Sequence, residues 1–313
     1  MTRIAVIGAG MAGIACARLL ADAGREVIVL DKGRGIGGRM ATRRVLLAAG
    51  ETAFDHGAQY VTAREPEFAA ALAALGDAAA RWDVGTANPR FVGRPGMSGI
   101  VRAMAAGLDV RQRTEVSRLR AAPGGWRIEA GSAHIAAERV VLTVPAPQAG
   151  ALLEEGHPLG EAISAVRMAP CLTLMAAFAH GAPSPFRTWQ GENGPLAWIA
   201  QDSSKPGRAR AATAWVAQAS PAWSARHLEE PPQAMVARLL PELCRTIGAE
   251  PASVLYASAH RWRHARVTAP LGLPFLADAS GTLHLAGDWC LGARVEAAWL
   301  SGSAAAQDIL ARA

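Results

Sequence analysis

Six residues near the start of the chain have the spacing of a phosphate-binding turn. They read Gly8-Ala9-Gly10-Met11-Ala12-Gly13, with glycine at the first, third and sixth positions. The first glycine permits a tight turn, the second lets the backbone approach a diphosphate, and the third lets a helix pack closely on a strand. The N–H groups at the start of that helix, which include those of Met11 and Ala12, would face the phosphates. Asp31 has the type and position to accept a hydrogen bond from a ribose hydroxyl.

Short apolar runs predict the elements that hold this turn. Residues 3–7 are a β-branched run typical of a buried parallel strand, and the turn follows at once. Residues 14–22 predict a helix of small residues, and residues 27–30 predict a second strand that ends at Asp31. Together these elements predict a dinucleotide-binding fold, for which both NAD and FAD are still open.

The segment after the second strand favours FAD. It reads Asp31-Lys32-Gly33-Arg34-Gly35-Ile36-Gly37-Gly38-Arg39-Met40. Arg39 offers a forked donor to phosphate oxygens, and the two glycines before it keep side chains out of the way. The segment resembles the one that follows the second strand in the amine-oxidase branch of FAD proteins; the alternative is an exposed arginine-rich loop. The residues assigned here to cofactor binding are Lys32, Gly38, Arg39 and Met40.

A third segment, Phe54-Asp55-His56-Gly57-Ala58-Gln59-Tyr60, resembles the strand that runs beside the flavin ring in the same branch. Gly57 and Ala58 have almost no side chain, so the backbone could approach a planar ligand. We assign Asp55 and His56 to cofactor binding, with a structural role for His56 favoured over a catalytic one. The residues assigned to the substrate side are Gly57, Ala58, Gln59 and Tyr60.

The C-terminal region carries a second flavin-binding pattern. Residues 283–288 predict a strand that ends in Gly287-Asp288, and residues 289–310 predict one long helix. Asp288 can bind a ribityl hydroxyl, and the helix N-terminus can point at the flavin C2 carbonyl and N1, where negative charge develops on reduction. Val295 and Glu296 join the cofactor set. Trp289 and Arg294 are assigned to the substrate side, with an ion pair at the helix start as the alternative for Arg294.

The middle of the chain has a different character. Between residues 160 and 270, strand-like runs alternate with a helix at residues 232–246, and tryptophans concentrate there: Trp189, Trp198, Trp215, Trp223 and Trp262. We expect most of them in the core. The predicted fold is α/β, a Rossmann-like FAD-binding domain of the glutathione-reductase/amine-oxidase type (residues 1–65, 92–160 and 274–313). A second, mostly antiparallel α+β substrate domain covers residues 66–91 and 161–273.

Composition excludes several classes of protein. The 313 residues are 51% hydrophobic and 19% charged, with a net charge of +6. The arginines are scattered, which favours an anionic small-molecule substrate over nucleic acid. The four cysteines have no metal-ligand spacing, so we predict no metal site and reduced thiols in a cytoplasmic protein. The longest charge-free stretch, residues 168–186, contains three prolines and is a poor membrane span. We expect a monomer or weak dimer.

Taken together, these segments resemble the renalase family, above all its bacterial members, over nearly the whole chain. The matching blocks also include residues 92–98, 145–148, 204–206, 260–262 and 287–302. The resemblance implies non-covalent FAD, backbone contact of Val116 with adenine, and oxidation by O2 of dihydro isomers of NAD(P)H, giving NAD(P)+ and hydrogen peroxide. Placement of the substrate carbon would involve Pro95, Gly96 and Met97. No catalytic side chain is expected, because a dihydropyridine becomes aromatic on losing hydride.

Two other functions stay open. One is a flavin-containing amine oxidase, a class that often has an aromatic pair over the flavin and a lysine bonded through water to flavin N5. The chain has two lysines, and Lys32 would sit at the adenosine end, so Lys205 is the candidate for that role. The other is a FAD-binding module without turnover, acting as a redox sensor.

Overall fold

The computed structural model describes residues 3–192 and 194–312, and two large sheets organise this part of the chain. In chain order the strands are β1 (Arg3–Ile7), β2 (Glu26–Leu30), β3 (Thr42–Leu47), β4 (Gly50–Asp55), β5 (Ala79–Trp82), β6 (Arg90–Gly93), β7 (Asp109–Arg111), β8 (Arg118–Ala122), β9 (Gly125–Ala130), β10 (Ala133–Ala137), β11 (Arg139–Leu142), β12 (Arg167–Phe178), β13 (Thr188–Gln190), β14 (Leu196–Gln201), β15 (Thr213–Ala219), β16 (Val254–Ala269), β17 (Leu276–Ala277) and β18 (Leu283–Leu285). The α-helices are α1 (Met11–Asp22), α2 (Pro66–Ala73), α3 (Ser98–Met104), α4 (Ala146–Leu152), α5 (Pro158–Ala162), α6 (Pro221–Arg226), α7 (Pro232–Ile247), α8 (Asp288–Leu291) and α9 (Val295–Ala311).

The first sheet has the strand order β17-β18-β11-β1-β2-β7. All neighbours pair in parallel except β17, which is antiparallel to β18. Alternate residues of β1 enter two different hydrophobic clusters: Ile4 and Val6 face α1 and α9, whereas Ala5 and Ile7 face the opposite side of the sheet. Burial of both faces is typical of a doubly wound parallel sheet. The predicted Rossmann-like fold is therefore confirmed.

Close packing of α1 on α9 joins the two ends of the chain. A Cβ on Gly302 would collide with the carbonyl oxygen of Ala12, so only glycine allows this approach. Helix α2 belongs to the same core, because Phe68 is buried there with its ring 5.3 Å from that of Trp299. Residues 66–91, predicted to belong to the substrate domain, thus pack against the dinucleotide-binding core. The domain boundaries stay a prediction.

The second sheet has the order β13-β14-β15-β12-β16, with every neighbouring pair antiparallel. One of its faces packs against α7, and Trp189 and Trp215 of the sheet and Trp223 of α6 lie in or against that core, as expected for most of the tryptophans. The other face carries Trp198, Gln218, Thr173 and His260 in one row of register partners. This row faces the segment that follows β4, because Gln218 donates to the Gly57 carbonyl oxygen. The predicted antiparallel second sheet is confirmed.

One element prediction was wrong. The single helix predicted over residues 289–310 is two helices, because Gly292 adopts φ 142° and ends α8, so the long helix begins only at Val295. Residues 90–93 pair with β5 as strand β6. Strand β7 ends at Arg111, so Val116 lies beyond it. In residues 3–192 and 194–312, no helix has the length and apolar character needed to cross a membrane.

Candidate active site

The turn between β1 and α1 has the geometry of a diphosphate cradle. Gly8 adopts φ 113°, and a Cβ on Gly13 would collide with the Gly8 carbonyl oxygen. No heavy atom of the described chain lies within 4 Å of the position that a Gly10 Cβ would take. No described side chain caps α1, whose first N–H groups belong to Met11 and Ala12. Open space beside Gly10 and uncapped N–H groups fit a bound phosphate.

Asp31 ties the end of β2 to this turn. Its Oδ2 accepts a hydrogen bond from the backbone N–H of Ala9 at 2.6 Å, and its Oδ1 accepts one from Gly33 at 2.6 Å. Each oxygen keeps lone-pair capacity for a ribose hydroxyl. Lys32 is exposed, and its Nζ lies 3.7 Å from Oε1 of Glu115, the residue that precedes the buried Val116. These residues lie where the adenosine end of a dinucleotide would be, and their contacts with it stay a prediction.

Arg39 connects three parts of the site. Its guanidinium donates to both oxygens of Asp288, at 2.8 and 2.6 Å, and its Nη1 also donates to the carbonyl oxygen of Ala265 at 3.2 Å. Its own carbonyl oxygen accepts from the N–H of Ala58 at 2.8 Å. A Cβ added to Gly38, the residue before Arg39, would lie 3.4 Å from the Gly10 Cα. The two glycine segments are therefore packed closely together. Met40 is buried in the core behind them.

The segment after β4 lies between Arg39 and the second sheet. A Cβ on Gly57 would collide with the Arg39 carbonyl oxygen, so this position requires glycine. On the other side, Gln218 Nε2 donates to the Gly57 carbonyl oxygen at 2.8 Å, and Trp262 Nε1 donates to the His56 carbonyl oxygen at 2.7 Å. These two bonds fix the second sheet against the segment predicted to run beside the flavin.

His56 is part of a buried aromatic cluster. Its ring stacks on Trp262 with centroids 5.4 Å apart and meets His260 edge-on at 4.7 Å. Burial, with the nearby His260 and Arg43, lowers the pKa of His56 to about 4. Burial and Arg43 likewise lower the pKa of His260 to about 4. Both imidazoles are therefore neutral and weakly basic at neutral pH, which supports the structural role predicted for His56.

A buried ion network that the sequence did not predict lies behind the same segment. Lys205 Nζ donates to Asp55 at 2.9 Å, to Asp202 at 2.6 Å and to Gln59 Oε1 at 3.4 Å. Arg208 bonds both carboxylates as well. Burial raises the pKa of the Asp55 carboxyl, but Lys205 and Arg208 outweigh it and hold that pKa below its usual value. Two cations and two carboxylates thus compensate each other in the interior.

This network changes the roles expected for two residues. The Asp55 carboxylate, expected at the cofactor, is fully buried and also accepts from Thr42 Oγ1 and the N–H of Met97. Gln59, expected at the substrate, turns its amide to Lys205 and to the carbonyl oxygens of Asp55 and Gly57. Both side chains therefore fix the segment from behind. The Asp-x-x-Lys-x-x-Arg spacing of residues 202–208 was the available sequence signal.

Residues 95–97 were expected to position the substrate, but they do not line an open pocket. Met97 is completely buried, and a Cβ on Gly96 would collide with Thr42. Pro95 is exposed, and its carbonyl oxygen accepts from Arg208 at 2.5 Å. These residues contact the ion network and support β3.

The C-terminal pattern forms the other wall of the site. Gly287 has φ 157° and donates to Ser301 Oγ at 2.8 Å, which positions Asp288 at the start of α8. Trp289, expected at the substrate, is instead completely buried and donates to the Val144 carbonyl oxygen at 3.0 Å. The start of α9, at Val295, has no side-chain cap among the described residues. It fits the predicted interaction with the flavin C2 carbonyl and N1.

Arg294 and Glu296 form the ion pair that was the alternative for Arg294. Their Nη1 and Oε2 atoms are 3.0 Å apart, although their alignment is too poor for a hydrogen bond. The Oε1 of the buried Glu296 accepts from the N–H groups of Arg64 and Glu65, at 2.5 and 2.9 Å. Glu296 therefore holds the chain beyond Tyr60 against α9, and any contact with the cofactor stays a prediction.

An aromatic and cationic group lies at the end of the segment predicted to run beside the flavin. The rings of Tyr60 and Trp198 have centroids 5.7 Å apart, and the Arg90 guanidinium lies 4.3 Å from the Tyr60 centroid. Tyr60 was predicted at the substrate side; Arg90 was not singled out. Among residues 3–192 and 194–312, no group of three or more potential metal ligands comes together.

Comparisons with known proteins agree with this geometry. A family model described as flavin containing amine oxidoreductase matches residues 72–310, and one described as NAD(P)-binding Rossmann-like domain matches residues 6–75. Three solved structures illustrate the similarity. A protein assigned as protoporphyrinogen oxidase from Exiguobacterium sp. 255-15 has a TM-score of 0.81 at 12% identity, over 100% of this chain and 99% of that one. Cyclohexylamine oxidase from Brevibacterium oxydans IH-35A has a TM-score of 0.77 at 14% identity, over 99% of both chains.

The third is putrescine oxidase bound to putrescine, with a TM-score of 0.72 at 15% identity, over 99% of both chains. At such identities the three structures show a shared fold alone. The family model, in contrast, covers most of the chain, and the glycine cradle, Asp31, Arg39 and the start of α9 fit a flavin dinucleotide. The chain therefore belongs to the flavin-containing amine oxidoreductase family and is a flavin-dependent oxidoreductase whose non-covalent cofactor is FAD.

Proposed function

We propose that this protein is an oxidase of misreduced dihydronicotinamides, as its resemblance to the renalase family implies. The substrate would be a dihydro isomer of NAD(P)H that carries its hydride at the wrong ring carbon. The overall reaction joins this isomer, O2 and one proton to give NAD(P)+ and hydrogen peroxide. FAD, when bound, accepts the hydride and transfers the two electrons to oxygen.

The observation that carries the proposal is the state of Lys205. An ammonium group has three donors, and those of Lys205 are engaged by Asp55, Asp202 and Gln59 in a site from which water is excluded. It therefore has no donor left for a water beside flavin N5, the role a lysine often has in amine oxidases. Lys32 is exposed at the other end of the predicted cofactor site. The sequence has no third lysine.

The basicity of the site supports the same substrate class. An amine is protonated at neutral pH and must lose that proton before oxidation, which favours a site with a base. The histidines of the aromatic cluster, His56 and His260, both have a pKa lowered to about 4 by burial. A dihydropyridine requires no deprotonation, because loss of hydride makes its ring aromatic. Positioning of the reacting carbon then accounts for most of the catalysis.

A second candidate, oxidation of a small amine, is favoured by the pair Tyr60 and Trp198. Their rings contact each other, with centroids 5.7 Å apart and a tilt of 48°, and together they offer an aromatic wall to a small substrate. The Arg90 guanidinium lies over both rings, however, at 4.3 and 5.3 Å. A fixed cation there would repel an ammonium ion. We therefore place the amine second.

Anaerobic mixing of the FAD-loaded protein with candidate substrates tests the proposal. One arm uses borohydride-reduced NAD, which contains the misreduced isomers; a second uses authentic NADH; a third uses a panel of amines that includes putrescine and cyclohexylamine. We expect rapid flavin bleaching in the first arm and slow or no bleaching in the others. Bleaching by an amine alone would establish the second candidate. No bleaching in any arm would favour a FAD-binding redox sensor.

A further inference from the structure

The Arg90 guanidinium contacts two aromatic rings. Most shielded cations in proteins contact carboxylates instead. It lies 4.3 Å from the Tyr60 ring centroid and 5.3 Å from that of Trp198. Arg90 is half-buried on β6, and its neighbour in register is Trp82 on β5. Two aromatic faces restrict the guanidinium to one position without neutralising its charge.

The positive charge of Arg90 has no counterion in residues 3–192 and 194–312. No described carboxylate lies within 4.0 Å of it, whereas the other two shielded arginines of the site, Arg39 and Arg208, each contact one or two. Within the same range, Arg90 Nη1 and Trp198 Nε1 are both buried and lack a hydrogen-bond partner. Shielded donors without acceptors are costly, so native proteins retain few of them. Two such donors in one group, beside a guanidinium without a counterion, indicate a polar acceptor; because neither atom is accessible to water here, a ligand supplies that acceptor only when the side chains move to admit it.

This group is connected directly to the segment beside the flavin. Trp198 is the register partner of Gln218, and Gln218 donates to the Gly57 carbonyl oxygen at 2.8 Å. Tyr60 follows Gly57 by three residues. The group of Tyr60, Trp198 and Arg90 therefore adjoins the Gly57 segment, over which the substrate ring is proposed to lie.

We propose that Arg90 determines substrate specificity by binding a phosphate group of the nucleotide substrate, with Trp198 Nε1 as a second donor. The inference rests on the proposed function and deepens it. A guanidinium matches phosphate oxygens in geometry and charge, and it remains charged at all relevant pH values. The same cation disfavours an ammonium substrate, so one residue both attracts the nucleotide and discriminates against amines.

The test compares the phosphate dependence of wild type with that of Arg90→Gln. Two substrates of the same dihydro isomer are used: dihydronicotinamide mononucleotide, which carries a phosphate, and dihydronicotinamide riboside, which does not. In the variant we expect KM for the mononucleotide to rise roughly 10- to 100-fold, as for loss of a charge-assisted hydrogen bond. We expect KM for the riboside to change less than about twofold, and the maximal rate of flavin reduction to change little for both. Trp198→Phe should have a smaller effect of the same kind.

Binding and control measurements separate this role from a structural one. Calorimetric titration of the oxidised, FAD-loaded protein with nicotinamide mononucleotide should show the same loss of affinity in Arg90→Gln and partial recovery in Arg90→Lys. Arg81→Gln is the matched control, because Arg81 is an exposed arginine on the neighbouring strand β5. Equal loss for mononucleotide and riboside, or no loss for either, would overturn the phosphate assignment. If wild type oxidises neither substrate, the proposed function itself has failed.

Discussion

Arg39 and Asp288 are 249 positions apart in the chain and form a two-point ion pair, with N–O distances of 2.8 and 2.6 Å. The Arg39 side chain is 28% exposed and that of Asp288 10%, so the pair is largely shielded from water but still accessible to a ligand. Each residue belongs to a different predicted flavin-binding segment. Their pairing fixes the N-terminal glycine segments next to the start of α8, and this contact does not depend on a bound cofactor.

Changes to this pair should weaken FAD retention. Arg39→Lys keeps the charge but cannot make two parallel bonds to a carboxylate or to phosphate oxygens, and Arg39→Ala removes both contacts. We expect Arg39→Ala to purify colourless and Arg39→Lys to lose most of its flavin. The ratio of flavin to protein absorbance after desalting measures this. Arg34→Lys, on the exposed part of the same segment, is the control. Full occupancy in Arg39→Ala would refute the phosphate assignment.

Two glycines of the first turn should respond differently to alanine. Gly13→Ala would force a Cβ into the Gly8 carbonyl oxygen and should destabilise the protein itself. Gly10 has φ −81°, and its Cβ would enter open space, so Gly10→Ala should fold with normal stability. Because that space is where the diphosphate is predicted, Gly10→Ala should lose FAD. Thermal unfolding of the cofactor-free proteins and equilibrium FAD titration test both statements. Unchanged FAD affinity in Gly10→Ala would place the diphosphate elsewhere.

Lys205 should contribute to stability more than to chemistry. Lys205→Met leaves Asp55 and Asp202 with only Arg208 in a buried network, and loss of one partner from a buried ion pair costs about 3–5 kcal/mol. Lys32→Met is the matched control, since the other lysine of the chain is exposed and 3.7 Å from Glu115; its expected cost is below about 1 kcal/mol. Urea unfolding measures the free energies, and stopped-flow flavin reduction measures the rate. Normal stability with abolished reduction by an amine would instead support the amine oxidase.

Local patterns in the sequence predicted the N-terminal elements of the fold well. The β1–α1–β2 unit and Asp31 were predictable because each step depends on residues adjacent in the chain: a β-branched run, glycines that permit a turn, and an acid at the strand end. The parallel first sheet and the antiparallel second sheet followed from similar runs. Gly292 shows the limit, since a single glycine at φ 142° interrupts a pattern that otherwise indicates one helix.

Contacts between distant segments were not predictable in the same way. Asp55 and Lys205 are 150 positions apart, and nothing in either local sequence indicates that they meet in the interior. The position of Trp289 depends on such contacts too: it was expected at the substrate side, and packing against β11 and the following Val144 buries it. Arg90 was overlooked because its environment, two aromatic rings from other elements, exists only after folding.

The pair His56 and His260 should make the protein sensitive to mild acid. Burial lowers the pKa of His56 from 6.5 to about 4, so the folded form binds fewer protons than the unfolded chain between these values. Stability is therefore complete above about pH 6.5 and decreases as pH falls toward 4; for His56 the loss between about pH 7.5 and about pH 5 is roughly 2 kcal/mol. His56→Phe keeps a ring against Trp262 and should reduce this dependence, leaving the contribution of His260, as measured by urea unfolding at both pH values. His180→Phe, at an exposed position, should leave the dependence as in wild type. An equal loss of stability in wild type and His56→Phe would show that folding does not lower the pKa of His56.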